Sequence, residues 1–417
     1  MSTLNSKNNF NIMQLRFFIE IAKHQNISRA ADELFRTQSA VTRGLLELEK
    51  NLKVRLFERH HQGVLLTNAG QYILPRVKNA IAHLQEMIHL IKEQDKQKNL
   101  NLTADPFFLY NQQRLTIFLT LCLTKNMKNT AQLLDITQPA VSATIKILEQ
   151  SFNTSLFDRT VQGLKETPFC RLLKQQVQLC LNELKPLPDD LKTFNGQLQG
   201  TVHIGALPLI RAECLPQVML KTTTQYPAIH FVTYESAYEI LSAQLRVGDI
   251  DFIVGAIRPD ESISDFQQHI LFSEDMAIAI GHHHPLLDHY AIEDIQLEEL
   301  LKFPWILPRA LTPARELILR SFNQLGLNAP EPTIETGDQT LIRGLLQSSH
   351  LVAIVSKSQM QFELKHGYLI RLPIILPSTD RDIGISYRKH AILSRAAQTF
   401  LNNMLECSSY IPVSVET

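Results

Sequence analysis

Apolar residues near the start of the chain recur at helical spacing. Four of them lie at positions i, i+3, i+4 and i+7, namely Leu15, Phe18, Ile19 and Ala22. This spacing places them on one face of a helix. After a break at residues 25–26, Ser28 is the expected N-cap of a short second helix, because its hydroxyl can accept a hydrogen bond from a free backbone N–H.

A third helix is predicted from Gln38 to Leu52, with Thr37 as its N-cap. Its inward positions are Val41, Leu45 and Leu48. Residues 56–67 then predict two short strands that turn at residues 62–63, where a glycine favours a tight turn. Helices followed by such a two-stranded wing are typical of a winged helix-turn-helix.

The same pattern returns at a shift of 100 residues. Between positions 15 and 67 the two copies share 17 identities in 53 positions without a gap, where chance would give roughly three or four, so the segment is a duplication. The first-copy members are Leu15, Phe18, Asn26, Ala31, Leu34, Thr37, Gln38, Ala40, Val41, Leu48, Glu49, Leu56, Phe57, Arg59, Gln62, Gly63 and Thr67.

The outer, N-terminal part of the third helix carries side chains suited to DNA. A recognition helix inserts this end into the major groove. Glutamine can read adenine, arginine can read guanine, and hydroxyl groups can serve bases or phosphates. Basic wing residues can lie on the phosphate backbone. The candidate DNA-binding residues are therefore Ser28, Thr37, Gln38, Ser39, Thr42, Arg43, Arg59, His60 and His61.

Charge is unevenly distributed along a chain whose formal net charge is zero. Residues 1–100 carry 15 Lys and Arg against 9 Asp and Glu, a balance of +6. Residues 101–200 carry 10 against 8, or +2, and residues 201–417 carry 16 against 24, or −8. The positive end, which contains the repeats, is where a polyanion would be held.

The ordered motifs of the first repeat resemble the winged helix-turn-helix of LysR-type transcriptional regulators. The matching segments are residues 27–34, 37–43, 46–49, 56–59 and 66–70. The resemblance implies a regulator that binds promoter DNA. Its DNA-contacting positions correspond here to Gln38, Ser39, Thr42 and Arg43.

Apolar residues after the wing alternate spacings of four and three, which indicates a coiled-coil seam. The seam residues are Val77, Ile81, Leu84, Ile88 and Ile91. In the LysR-type family the matching helix dimerises the DNA-binding heads, and we expect the same here. Packing within one chain is the alternative.

The second repeat keeps its core positions but changes its outer ones. Arg43 becomes Ala143, the basic wing becomes residues 160–165, and Glu166 adds a negative charge near the expected path of the DNA backbone. Phosphate contacts dominate affinity, so their loss weakens a DNA reader. Weak DNA contact and a purely structural role remain equally open. The residues available for such contact are Gln138, Ser142 and Lys146.

From residue 200 onwards, β-rich apolar runs alternate with amphipathic helical segments, which predicts parallel βαβ units. Residues 200–205 and 245–255 resemble the LysR-type effector-binding domain, which implies two α/β lobes similar to periplasmic binding proteins. The expected fold is thus multidomain, with two winged helix-turn-helix repeats, all-α apart from their wings, followed by a two-lobed α/β effector domain.

The predicted domain boundaries follow from these patterns. They are winged helix-turn-helix 1 at 1–70, a dimerisation helix at 71–98, a linker at 99–112, a degenerate winged helix-turn-helix 2 at 113–170, a second linker helix at 171–195 and the effector-binding domain at 200–410. Lobe I is expected at 200–270 and 373–410, and lobe II at 271–372.

Ligands of open α/β folds settle at the carboxyl ends of strands, where helix N-termini face them. This environment suits an anion, and Arg309 can pair with a carboxylate. We therefore expect a small carboxylate effector. The candidate effector-binding residues are Leu207, Pro208, Leu209, Ser236, Ala237, Pro308, Arg309, Thr336 and Asp338.

Enzyme, metal and membrane functions find no support in the sequence. It lacks phosphate-binding loop, nucleophile-elbow and zinc-protease motifs, and consecutive histidines at 282–284 are expected in a solvated loop rather than at a metal. We expect no enzyme activity and no cofactor. Five scattered cysteines and the absence of a long apolar run favour a cytoplasmic protein with reduced thiols.

The function that these features predict is sequence-specific transcriptional regulation switched by a small molecule. Expected partners are double-stranded promoter DNA, the effector and RNA polymerase, with assembly as a homodimer or homotetramer and no membrane contact. The alternative is an interaction or sequestering module that pairs with another regulator without reading DNA. The intact charge set of the first repeat favours the DNA reader.

Overall fold

The computed structural model describes residues 11–61, 63–95, 107–160, 163–258 and 265–407. The chain divides after residue 200 into two units, each with its own core. The first unit contains both repeats, whose apolar side chains merge into one hydrophobic cluster.

The first repeat forms three helices, a two-stranded wing and one long helix. Its elements are α1 (Ile12–His24), α2 (Ile27–Glu33), α3 (Gln38–Leu52), β1 (Phe57–His60), β2 (Gly63–Leu66) and α4 (Asn68–Asp95). The predicted third helix is confirmed at both ends, and the wing strands pair antiparallel as expected. Residue 62, at the predicted turn, lies outside the described residues.

The second repeat follows the same element order. Its elements are α5 (Gln112–Thr124), α6 (Met127–Leu134), α7 (Gln138–Phe152), β3 (Phe157–Thr160), β4 (Gly163–Glu166), α8 (Pro168–Leu184) and α9 (Leu187–Lys192). Most boundaries therefore recur at the 100-residue shift seen in the sequence. The linker predicted at 99–112 is described only from a 3-10 turn at Phe107–Leu109 onwards.

Side-chain capping explains where the first helices begin, and it corrects one prediction. Ser28 is not the cap of α2, because the helix starts at Ile27 and Ser28 already lies inside its first turn. Asn26 has the extended backbone that a cap requires, and its Oδ1 accepts from Arg29 N at 3.1 Å. Thr37 is confirmed as the cap of α3, with Oγ1 accepting from Ala40 N at 3.3 Å.

Identities shared by the repeats fix the wing against the helices. Glu49 Oε1 accepts from Leu56 N at 2.7 Å, and Glu149 Oε1 accepts from Leu156 N at 2.8 Å. In the first repeat Gly63 lies against the Gln25 carbonyl, where a Cβ would come within 2.3 Å of the oxygen. Part of the duplication in sequence therefore specifies how each wing docks.

The seam of α4 is filled by the same chain, which corrects the expected pairing of two chains through it. Val77, Ile81 and Leu84 are fully or almost fully buried, and α4 packs along α8. Ile88 is partly buried, and the side chain of Ile91 lies outside the described residues. The physical reason is that the second repeat supplies a helix with its own apolar seam. The buried α8 residues include Leu173, Val177, Cys180 and Leu184.

The second unit is built on two five-stranded sheets. Its strands are β5 (Gly200–Ala206), β6 (Ile229–Tyr234), β7 (Phe252–Ala256), β8 (Phe266–Glu274), β9 (Met276–Gly281), β10 (Trp305–Leu307), β11 (Pro332–Glu335), β12 (Val352–Ser356), β13 (Leu369–Arg371) and β14 (Arg381–Arg388). The first sheet has the order β6-β5-β7-β14-β8, and the second has the order β11-β10-β12-β9-β13.

In the described part of this unit, seven α-helices accompany these strands. They are α10 (Cys214–Gln225), α11 (Tyr238–Val247), α12 (Leu297–Leu300), α13 (Pro313–Gln324), α14 (Gln339–Gln347), α15 (Gln361–Lys365) and α16 (Arg395–Cys407). The predicted parallel βαβ units are present, but both sheets are mixed, because β14 runs antiparallel to β7 and β8, and β9 runs antiparallel to β12 and β13. Parallel pairing holds for β5 with β7 and for β10 with both of its neighbours.

The chain passes from the first sheet to the second at residue 275 and returns between residues 371 and 381. The predicted lobe boundaries at 270/271 and 372/373 therefore need one correction. Strand β8 belongs to the first sheet through Glu274, so the first crossing lies after residue 274 and not after the expected residue 270.

Candidate DNA interface and effector region

The N-terminal half of α3 presents a polar surface over an apolar base. Gln38, Ser39 and Arg43 are exposed, and Thr42 is half-buried. The opposite face is formed by Val41, Leu45 and Leu48, which are buried in the head. An exposed N-terminal turn with amide, hydroxyl and guanidinium groups has the chemistry needed to read base edges.

The wing, which follows α3 in the sequence, adds a basic edge to the head. Arg59, His60 and His61 are exposed, and Arg59 pairs with Val64 in the β1–β2 register. Ser28 is also exposed in the first turn of α2. Groups of this kind suit phosphate oxygens, which supply most of the affinity of DNA-binding proteins.

A close helix crossing holds the recognition helix in place. A Cβ at Gly44 would lie 2.7 Å from Phe17 Cδ2, so the glycine lets the aromatic ring of α1 reach the α3 backbone. Gln14 Nε2 donates to Glu47 Oε2 at 2.8 Å across the same pair of helices. The second repeat has Ile117 and Thr144 at the corresponding positions, a smaller residue opposite a larger one.

The second head exposes its three candidate DNA-binding residues as well. Gln138, Ser142 and Lys146 are solvent-exposed on α7. Thr137 makes no side-chain capping bond there. Glu166, which the sequence marked as an added negative charge, is paired with Lys174 at 3.0 Å.

Both heads retain positive charge. Residues 11–70 hold nine Lys and Arg against six Asp and Glu, or +3, and residues 111–170 hold six against four, or +2. The second head has lost specific basic positions rather than its overall sign. The second head therefore keeps the sign of charge that suits a polyanion, with a smaller balance than the first head.

In the second unit, the first group of candidate effector residues lies where the two sheets meet. Leu207, Pro208 and Leu209 follow β5, and Leu207 N donates to Val254 O at 2.9 Å. Ser358 Oγ, just after β12 of the other sheet, donates to Leu209 O at 3.2 Å. The carboxyl ends of β5 and β12 thus come together.

Ser236 and Ala237 are exposed between β6 and α11, and Ala237 is the N-cap of that helix. The sequence analysis missed a cation beside them. Arg258 lies over the Tyr238 ring with its Cζ 4.3 Å from the ring centroid, and its Nη1 is 3.6 Å from Glu239 Oε1. An arginine next to a helix N-terminus provides a setting for an anion.

The candidates of the second sheet form a less favourable anion site than expected. Arg309 is exposed after β10, whereas Arg315 donates to Pro308 O at 3.2 Å and contacts Glu335 at 3.5 Å. Asp338 Oδ1 accepts from Leu341 N at 2.8 Å, so its own carboxylate already occupies the N-terminus of α14. The exposed face of α14 borders an open cavity of about 510 Å³.

The cavity is lined by Asp338, Thr340, Leu341, Gly344 and Leu345. It lies on one helix and not between the sheets. The expected helix N-terminal anion site at residues 336–338 is corrected for this reason, since a second negative charge beside Asp338 would be repelled.

A buried polar cluster at the junction of the sheets escaped sequence analysis. Arg381 hydrogen-bonds Ser356 and lies 3.9 Å from Glu274, whose Oε2 accepts from Ser358 N at 3.2 Å. Burial lowers the pKa of Arg381, and the carboxylate of Glu274 opposes that change. Its members are distant in the sequence, so no local sequence pattern predicts the cluster.

The histidine run at 282–284 is partly a core feature, which corrects the solvated-loop prediction. His282 and His283 are exposed, but His284 is buried against Phe303, with ring centroids 4.5 Å apart. Burial lowers the pKa of His284, and the neighbouring charge of His350 lowers it further while a backbone hydrogen bond there opposes this. Within the described segments, no cluster of His, Cys, Asp or Glu is placed to hold a metal.

The first unit carries a winged head whose α3 exposes groups suited to reading DNA. The second unit is an α/β fold in which strand ends meet as they do in small-molecule sites. Together they define a DNA-binding transcriptional regulator with a small-molecule domain. Comparison with known families places this class more narrowly. Residues 195–407 match the LysR substrate binding domain, and residues 12–71 and 112–171 each match the bacterial regulatory helix-turn-helix protein of the lysR family. The chain belongs to the LysR family of transcriptional regulators, which are not enzymes.

Relatives differ in how much of the chain they share. The HTH-type transcriptional regulator GalR of Pseudomonas putida is 41% identical over 387 residues, covering 93% of this chain and 94% of that protein. An alignment of that length includes most of both heads. PcaQ of Agrobacterium fabrum is 25% identical and covers 66% of this chain but 88% of that protein.

Solved structures share the fold. A full-length OxyR variant from Pseudomonas aeruginosa has a TM-score of 0.52 at 20% identity, covering 71% of this chain and 97% of that one. Full-length CbnR complexed with its target DNA has a TM-score of 0.53 at 16% identity, covering 72% and 99%. None of the helices in the described ranges combines the length and apolar character needed to span a membrane.

Proposed function

We propose that the first head reads promoter DNA and that a small carboxylate bound in the second unit switches this binding. The observation that carries the DNA part is the polar surface of α3, where Gln38, Ser39 and Arg43 are exposed beside the half-buried Thr42 and the apolar back is buried in the head. Arg59, His60 and His61 are assigned to phosphate contacts. Ser28 and Thr37, at the starts of α2 and α3, are assigned to contacts with the DNA backbone.

The second head is assigned a weaker, auxiliary DNA contact through Gln138, Ser142 and Lys146. Their exposure and the positive balance of the head support contact. The loss of Arg43 to Ala143 and of the wing histidines supports weakness, because each removes a group that a phosphate or base would meet.

The carboxylate effector is assigned to the carboxyl ends of the strands, at Leu207–Leu209, Ser236–Ala237 and Pro308–Arg309. Arg258 and Arg309 are the cations proposed to meet the acid. Asp338 would set the boundary of the site, because its charge repels an anion. The two sheets are proposed to act as lobes whose relative affinity for the acid in two arrangements drives the switch.

The proposal includes a cytoplasmic location, contact with RNA polymerase, and assembly of two or four chains. Because the seam of α4 is already covered within the chain, this assembly would use other surfaces. The duplicated heads and the two-lobed unit are treated as separate working parts of one regulator.

Changing Arg43 to Ala tests the DNA assignment. We expect operator affinity to fall by about 1–3 kcal/mol, because a bidentate arginine–guanine contact is lost. Genomic-fragment selection followed by footprinting and salt titration on the full-length protein measures this. Lys50→Ala, exposed at the other end of the same helix, is the matched control. Unchanged affinity for Arg43→Ala would show that this helix does not read DNA and would favour the sequestering alternative.

A further inference from the structure

The two long linker helices of this chain meet through a seam in which corresponding positions are buried. A shift of 100 residues relates Val77 to Val177 and Leu84 to Leu184, and all four are fully or almost fully buried. Ile73 and Ala80 and their counterparts Leu173 and Cys180 are buried as well, and so are Met87 and its counterpart Leu187 at the start of α9. The apolar part of the seam is therefore nearly the same on both helices and does not by itself distinguish one from the other.

Polar contacts across the seam occupy reciprocal positions. Position 76 of the first repeat meets position 183 of the second, where Arg76 Nη1 lies 3.4 Å from Glu183 Oε2. Position 176 meets position 83, where His83 Nδ1 lies 3.0 Å from Gln176 Oε1. When residue i meets j and the counterpart of j meets the counterpart of i, the pairing has twofold character.

These two reciprocal contacts have unlike chemistry. Arg76 and Glu183 are 3% and 2% exposed, and Asp190, 1% exposed, reaches Arg76 Nη2 at 3.5 Å. The other contact joins two half-buried polar side chains, His83 and Gln176. One side of the pseudo-twofold axis therefore holds a buried ion cluster, and the other side holds the hydrogen bond between His83 and Gln176.

Like-with-like pairing would place the wrong groups together. If α4 paired with α4 of a second copy, Arg76 would face the second copy's His83 at both ends, without a carboxylate. If α8 paired with another α8, Glu183 would face Gln176 at both ends, without a cation. A buried charge that loses its partner is strongly destabilising. Only α4 with α8 gives each buried charge its counter-ion.

We propose that Arg76, Glu183 and Asp190 form a pairing code that makes α4 accept the α8 helix of its own chain and reject a second α4. The paired heads of this protein are then the two heads of one chain. Closure within the chain is helped by the covalent connection of α4 to α8 through the second head, since a tethered partner is present at a raised effective concentration. The choice of the helix that packs against α4 does not depend on the proposed DNA or effector function.

The identity of the partner is tested with a pair of cysteines in the full-length chain. His83→Cys and Gln176→Cys are combined, and unlabelled and nitrogen-15-labelled chains are unfolded together, refolded together and oxidised mildly. We expect 83–176 cross-linked peptides in which both halves carry the same isotope. Peptides that mix the two isotopes, or 83–83 links, would overturn the assignment to one chain.

The code itself is tested by reversing its charges. Cys180 is fully buried in the seam, and burial raises its thiol pKa, so its alkylation reports opening of the helix pair. We expect Arg76→Glu to speed Cys180 alkylation by about 100-fold, because it leaves three carboxylates together. The exchange Arg76→Glu with Glu183→Arg should restore most of the protection.

Lys78→Glu makes the same charge change on the exposed side of α4 and is the matched control. Peptide-resolved mass spectrometry separates Cys180 from the other cysteines. An unchanged rate in Arg76→Glu, an equal effect of Lys78→Glu, or an exchange variant as reactive as the single reversal would each overturn the pairing code.

Discussion

Single residues in this chain do two kinds of work, which the duplication separates. Glu49, Leu56 and Thr67 recur in the second repeat because they fix the wing, and their contacts recur with them. Arg43 has no counterpart, since position 143 is alanine and exposed. These three shared residues serve the fold, whereas Arg43 is present in one copy only and is specific to the first head.

The crossing of α1 and α3 gives a prediction at this scale. We expect Gly44→Thr to lower the free energy of unfolding of the first unit by about 1–3 kcal/mol, because its Cβ would overlap the Phe17 ring. Combining it with Phe17→Ile copies the residues of the second repeat and should recover more than half of the loss. Chemical denaturation measures both variants.

Lys50→Thr, on the exposed face of α3, provides the comparison for inserting threonine into this helix and should cost at most about 0.7 kcal/mol. If Gly44→Thr were no worse than Lys50→Thr, the close approach of Phe17 would not be what positions α3.

His284 gives a prediction about pH. Its pKa is lowered in the folded protein by burial, so between that value and about 6.5 the unfolded chain binds more protons. Stability is therefore lost as pH falls below about 6.5, by up to about 1.4 kcal/mol per pH unit from this group. His284→Gln should flatten the fall in unfolding free energy between pH 7.5 and 5.5.

His283→Gln removes an exposed neighbour and should leave that slope unchanged. An identical pH dependence in wild type and His284→Gln would mean that His284 does not titrate differently in the folded and unfolded states.

At the scale of elements, helices and central strands were predictable where burial imposes a period. The helix Gln38–Leu52 was placed at its observed ends. The strands missed were β8, β11 and β13, all at sheet edges, where one side lacks a neighbour and the apolar signal weakens. The partner of α4 was missed because a heptad seam indicates that a helix pairs with another helix but does not identify that helix.

The second head supplies the prediction for an element. We expect the combination Gln138→Ala, Ser142→Ala and Lys146→Ala to shorten the DNA footprint of the full-length protein. Loss of a lysine–phosphate contact should also reduce the slope of log affinity against log salt by about 1. Gln150→Ala, exposed at the far end of α7, is the matched control. A footprint of full length with an unchanged salt slope would leave the second head a structural role only.

At the scale of the whole molecule, the sequence separated a basic duplicated end from an acidic α/β end, and the structure divides the chain after residue 200. What could not be predicted were contacts between distant segments. The Arg381–Glu274 cluster joins positions over a hundred residues apart, and the Asp338 cap changes the charge of an expected anion site.

The effector assignment is tested on the full-length protein with small carboxylates and their neutral amides. At 100 times its Kd, a bound acid should stabilise the second unit by about 2.7 kcal/mol. We expect Arg258→Gln or Arg309→Gln to remove this gain and the accompanying change in DNA affinity, because each removes a cation from the proposed site. Thermal unfolding and DNA titration measure the two effects.

Arg320→Gln, exposed on α13, controls for the loss of positive charge alone. Amides that stabilise as well as the acids would contradict a carboxylate site while leaving the DNA assignment untouched.

On the DNA contacts proposed for both heads, two joined but unequal heads give the protein a front and a back on DNA. A symmetric dimer binds an inverted repeat equally well in either orientation, whereas α4 and α8 hold together one head with Arg43 and one with Ala143. A site that matches such a pair has a polarity, so its orientation in a promoter decides which head lies nearer the start of transcription. Each head is also free to change its preferred bases without altering the other, so the two ends of the operator can diverge independently.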